Sequence, residues 1–264
     1  MQFCSLSLTC GETMCIKMIF LTVFIFILSL FAQQGKTVTD ADGNIYNTVK
    51  LGNLIWTVEN WRSTKFSDGT PIPYVTSDMK WDKRSERKKA SFCYYKNDTT
   101  NGSKYGALYN WFAVNSGKFA PEGWRVPTDA DWAKLEAYLI VNGYNWDDSD
   151  DSNKIGKSLA AKTGWETNNK TGTIGNSLQE NNSSGFSALP GGYHDYNIFS
   201  WAMFSYIGGI GYWWSATENP DMNYQAFCRT LYAGLDAFYK NSESKGYGFS
   251  VRIVQDSYYD PPTK

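Results

Sequence analysis

The chain has 264 residues, 42% hydrophobic and 19% charged, a composition that excludes a disordered polymer and matches a globular domain. Its net charge is −1, so it lacks the basic surplus that a nucleic-acid partner requires. Aromatic residues make up 17%, with 11 Trp, 18 Tyr and 15 Phe; such rings fill cores and also line sugar- and protein-binding surfaces.

Residues 18–32 read MIFLTVFIFILSLFA, an apolar run of 15 behind Lys17. A bilayer span needs about 20 such residues, so this run has the length of a signal-peptide apolar segment, and the expectation is a cleaved leader over residues 1–32. Residues 1–13 are unlike a leader's basic start, and Met14 or Met18 is the alternative first residue. A retained N-terminal anchor is the competing reading. Cys4, Cys10 and Cys15 fall in or before this segment, which leaves Cys93 and Cys228 as an even pair in the remainder. Outside the cell the pair can form one disulfide; two buried free thiols are the other arrangement.

Further along, Ile45, Val49 and Leu51 share one parity, as a half-buried strand requires, and Gly52-Asn53 reads as a hairpin turn into Leu54, Trp56 and Val58. Leu108, Trp111, Phe112 and Asn115 have helical spacing over 105–115. After Pro127, Thr128 is an N-cap, Asp129 and Asp131 suit the positive end of a helix, and Trp132, Leu135, Leu139 and Ile140 form its apolar face. Asn142-Gly143 ends it. A third, weaker helix spans about 154–162. From Gly172 onward the pattern is short strands joined by long loops. Phe249, Val251 and Ile253 alternate with Ser250 and Arg252 in a closing strand, which is expected to pair with the first.

The ordered blocks IWTVENW, YGALYNWFAV, GWRVPTDADW, SGFSALPGG, GYWWSAT and GFSVRIV resemble the Fibrobacter succinogenes major paralogous domain, from about Thr37 to Asp256. That family looks related to the formylglycine-generating-enzyme-like branch of the C-type lectin fold. The resemblance implies one α+β domain over residues 33–256, with residues 257–264 as a tail. It also implies two main helices, small antiparallel sheets, paired terminal strands and long loops. The family commonly carries Cys before its Pro-x-Gly-Trp block and in its last strand; here those positions hold Ala120 and Ile253.

The same resemblance frames the enzyme question. Formylglycine-generating enzymes bind copper through thiolates near the chain's end, where this chain has only Cys228. Sulfoxide synthases need several His ligands, and His194 is the single histidine. His194, beside Asp195, reads as a loop or surface residue and not as a triad base. No spacing sets two carboxylates across a sugar. The expectation is therefore a non-catalytic module.

Two binding candidates emerge. Tyr196, Phe199 and Trp201, in an aromatic-rich loop, are candidates for an exposed platform that takes a glycan or a surface protein; ordinary packing against the sheet is the alternative. Glu218, Asn219 and Asp221 supply oxygens that suit calcium, although Asn-Pro-Asp is also ordinary turn chemistry. No other cofactor is implied, nor any membrane contact beyond the export segment. Trp124, Trp213 and Trp214 belong in the core. The acidic run 147–151 and the basic run 83–89 read as solvated loops.

Overall fold

A computed structural model describes residues 37–150, 152–196 and 203–257. These residues belong to one unit that begins at Thr37. The signal-segment expectation, Phe199 and Trp201 lie outside them.

The architecture is α+β, with small sheets and few helices. Strands β1 (Val38–Thr39) and β2 (Ile45–Tyr46) form a short hairpin. Strands β3 (Thr48–Leu51) and β4 (Leu54–Thr57) follow, joined at Gly52, whose φ of 62° suits the glycine expected in that turn. Helix α1 covers Asp78–Glu86. Strands β5 (Phe92–Cys93) and β6 (Leu108–Tyr109) pair around helix α2 (Thr99–Tyr105). Helices α3 (Trp111–Val114), α4 (Asp129–Val141) and α5 (Gly156–Leu159) come next. The second half holds β7 (Gly191–His194), β8 (Phe204–Ile207), β9 (Ile210–Glu218), β10 (Gln225–Tyr232), β11 (Tyr239–Ser244) and β12 (Val254–Asp256). The largest sheet has the order β11-β10-β9-β7-β8. Between β8 and β9, β7 runs so close that a Cβ on Gly192 (φ 62°) would lie 2.4 Å from the Ser205 carbonyl oxygen.

The ends of the domain pair, but through Val254–Asp256 and the second arm of the hairpin, β4, and not through a Phe249–Ile253 strand on the first. Val254, Gln255 and Asp256 sit opposite Trp56, Ile55 and Leu54, which makes β4 the central strand of the sheet β12-β4-β3. Upstream of β12 the chain is more than a sheet edge. Gly248 bridges His194, Phe249 bridges Tyr109 and Ser250 bridges Trp213, while Val254, the first residue of β12, bridges Arg125. Because core lies on both sides of this strap, every residue from 248 to 254 is buried. The expected two-sided alternation is corrected here: Ser250 and Arg252 are as buried as their apolar neighbours, and hydrogen bonds compensate them.

Adjacent Trp213 and Trp214 point to opposite faces of β9, as strand geometry dictates. Trp213 joins Trp56, Trp132 and Phe186 under α4, whereas Trp214 joins Trp61, Tyr109 and Phe249 on the other side. Their indole N–H groups donate to Asn60 Oδ1 (2.9 Å) and to the Tyr109 carbonyl (2.8 Å), so neither ring buries an unmet donor. Trp124 is only half-buried at the margin of this second cluster.

Four other expectations change. Ile45 is 62% exposed because the strand breaks at Asn47, whose backbone and side-chain N–H groups donate to Glu59. Tyr46 turns inward instead and stacks on Trp61 at 4.3 Å. Residues 105–115 are not one helix: Leu108 and Tyr109 extend to pair with β5, and Asn110 caps the short α3. Half of the basic run belongs to α1, anchored by Trp81, whose indole donates to the Gly246 carbonyl at 2.7 Å. The third helix is confined to Gly156–Leu159.

Among the described residues no helix is long and apolar enough to cross a membrane.

Candidate binding groove

A groove of about 550 Å³ opens where α1, α3, the β9–β10 loop and the end of β11 meet. Trp111 forms its floor. Asn110 caps α3 by accepting from the Ala113 N–H, and the Trp111 indole donates to the Ser215 carbonyl at 2.9 Å. Above that ring lies the Lys245 ammonium, 4.6 Å from its centroid. Lys245 is 8% exposed, pairs with Glu218 at 3.0 Å and donates to the Asn223 carbonyl. A buried lysine with a carboxylate, a carbonyl and an aromatic face is a fixed donor and not a free cation. Phe112, Asn115, Asn223 and Tyr224 complete the walls, with Glu86 and Lys88 at the α1 side. Tyr224 is 59% exposed.

Tyr196 lines the same groove, seated on Gly246: a Cβ there would lie 2.3 Å from its ring. Burial, with the charges of Glu86 and Asp82, pushes its hydroxyl pKa up, so the phenol stays a neutral donor and acceptor. The groove thus joins Tyr196 and Glu218, which the sequence set in separate candidates. Asn219 and Asp221 do not line it. Asn219 accepts from the Asp221 backbone N–H at 3.0 Å and donates to Ser242 Oγ at 3.1 Å, the hydrogen bonding of a side-chain-capped turn. With Glu218 held by Lys245, two of the three expected calcium ligands have protein partners. Among the described residues no three His, Cys, Asp or Glu side chains cluster to hold a metal.

The spacing around Trp111 and Phe112 marked only a helix; their place on a groove follows from docking α3 against β9. Nothing in NSESKGYGF marks Lys245 as its donor.

His194 is not on the surface. It is 2% exposed in β7, 4.3 Å from the Trp81 ring and 4.8 Å from Phe204. Burial lowers its pKa to about 4. Asp78 lies 3.6 Å from Nε2, too far for a hydrogen bond that would offset the burial. Cys93 and Cys228 are free, fully buried thiols. They lie in separate clusters, Cys93 with Trp81 and Leu108, Cys228 with Trp214 and Phe249, so the disulfide gives way to the second arrangement the sequence left open. Burial pushes both thiols well above their ordinary pKa.

Fold and groove together define an α+β domain, closed by the pairing of β4 with β12, with an aromatic- and amide-lined cleft on one flank. The chain belongs to the Fibrobacter succinogenes major domain family, whose description matches residues 49–255. No curated protein and no solved structure matches it.

Proposed function

We propose that this chain is an exported, non-catalytic binding module whose groove takes a glycan at the cell surface or outside the cell. The supporting observation is the groove's composition. Aromatic rings of Phe112, Tyr196 and Tyr224 lie beside amides of Asn115 and Asn223 and a fixed ammonium, which together suit the C–H faces and hydroxyls of a sugar. The apolar run at 18–32 supports export. The paired termini and the turn-rich stretch before β7 support kinship with C-type-lectin-like domains and their formylglycine-generating branch. The burial of both thiols in separate clusters speaks against copper-thiolate chemistry.

Protein adhesion is the second reading, favoured by Met222 and Tyr224, 45% and 59% exposed at the tip of the β9–β10 loop. A glycan array probed in calcium and again in EDTA separates the readings. EDTA-resistant binding that Tyr224→Ala weakens by about tenfold is the expected result. Loss in EDTA would return attention to Glu218 and its neighbours as a calcium site. A folded protein that binds no glycan in either buffer would leave adhesion as the surviving reading.

A further inference from the structure

Five tyrosines, one from each strand of the five-stranded sheet, make a continuous row. Tyr212 on β9 and Tyr239 on β11 both sit opposite Thr230 of β10, so all three point to one face. Tyr232 lies two residues beyond Thr230 and shares that face. Ring centroids of Tyr239 and Tyr232 are 5.6 Å apart, and Tyr232 is hydrogen-bonded to Tyr212. Tyr212 meets Tyr193 of β7 at 5.3 Å, and Tyr193 meets Tyr206 of β8 at 6.0 Å. Tyr206 is 59% exposed and the other four are half-buried. The opposite face of the sheet carries the buried core residues Trp213 and Leu231. On the tyrosine face Tyr212 stacks on Phe249 at 4.6 Å and, with Tyr193, packs against the Trp214 cluster, so core packing accounts for the middle of the row but not for Tyr206, Tyr232 and Tyr239 at its two ends.

The chemistry of this face is specific. Lys240, the lysine of β11, pairs with Arg229 in the register and projects to the other side, 2.8 Å from Asp129. Glu243, opposite Ala226, is on the tyrosine side and half-buried. Asp195, next to it electrostatically, has a buried Oδ1 without a hydrogen-bond partner. Aromatic faces accept C–H surfaces, carboxylate oxygens accept hydroxyl hydrogens, and an anionic ligand would meet repulsion here. Across five strands at about 4.8 Å spacing the row extends roughly 20 Å, a length suited to a chain and not to one ring.

We infer that the tyrosine row Tyr239–Tyr232–Tyr212–Tyr193–Tyr206 binds an extended, uncharged polysaccharide chain. It is separate from the groove: Tyr212 stands near the start of β9 and Glu218 at its end, about 20 Å along the strand. The inference shares the ligand class of the glycan reading but none of its residues.

Affinity electrophoresis of the chain through gels containing xylan, mixed-linkage β-glucan or alginate tests it. The neutral polymers should retard the protein and the anionic alginate should not. The double variant Tyr232→Ala with Tyr239→Ala should weaken retardation at least about tenfold, and the matching Phe pair should lose less, since the rings remain. The Phe pair also serves if the Ala pair fails to fold. Retardation unchanged within about twofold in the folded Ala pair would overturn the inference, as would preference for alginate. If only Tyr224→Ala abolishes both signals, the groove stands and the row falls. If only the row variant abolishes both, the row stands and the groove falls. Absence of retardation in every neutral gel also overturns the inference.

Discussion

Arg252 carries a charge into the centre of the domain, where it is wholly buried. Its guanidinium is satisfied by carbonyls: Nη1 donates to Thr57 (2.6 Å), Val58 and Phe186 (3.0 Å), and Nη2 to Ser187 (3.1 Å). Nε donates to Asn60 Oδ1 at 2.8 Å, and the fork lies 4.7 Å over the Phe186 ring. Five donors in a rigid plane fit such a shell, which a lysine could not complete. Burial lowers its pKa to about 9, so it remains charged at neutral pH. His194 is the opposite case, a buried ring kept neutral. Its folded pKa of about 4 lies below the ordinary 6.5, so the unfolded chain binds the proton more readily. That stability is fully present above pH 6.5 and is lost as pH falls toward 4. Urea unfolding should show this as a loss of roughly 2 to 3 kcal/mol between about pH 7.5 and 4.5, compared with the slope in His194→Gln. Equal slopes in the two proteins would show that another group titrates in that window.

Helix α4 was legible to its ends because its signals are local. Thr128 Oγ1 accepts from the Asp131 N–H at 3.2 Å, and the Asp131 carboxylate accepts from the Thr128 N–H at 2.8 Å, a reciprocal cap visible in the spacing T-x-x-D. Burial pushes the Asp131 carboxyl up, but bonds from Arg125 and Thr128 outweigh it and hold the pKa below the ordinary value. Thr128→Ala should therefore cost about 1 to 2 kcal/mol, read as a shift in the denaturation midpoint at unchanged slope. A change below a few tenths would mean that Asp131 and Arg125 suffice. Helix α1 was illegible by the same logic. It buries Trp81, Asp82 and Ser85 and exposes Met79 at 67%, so no apolar stripe marks it. It is held by what Trp81 meets, the Gly246 carbonyl and the His194 ring, both far away in sequence.

At the scale of the molecule, the two ends of the domain depend on each other. Central strand β4 needs β12 for half of its ladder, and the strap before β12 bridges β6, β7 and β9. Removing residues 251–264 takes away Arg252, β12 and part of that strap at once. The truncated chain should show no cooperative thermal transition, and near-ultraviolet circular dichroism should lose the signal of its packed tryptophans. A cooperative melt would show that the remaining sheets fold without their closure.

The sequence by itself determined the composition class, the capped helix α4, the hairpin at Gly52 and the pairing of the two ends, because caps, turns and hydrophobic parity act over a few residues. It marked Trp213 and Trp214 as core but not their opposite faces of one sheet. Only the tertiary structure decided that Ser250 and Arg252 are interior, that His194 is buried and that the two thiols are apart. It alone set Lys245 over Trp111 and brought five tyrosines, spread from Tyr193 to Tyr239, into one row. The reason is physical: such placements depend on strand order and register between segments distant in the chain, and those are selected by the packing of the whole core.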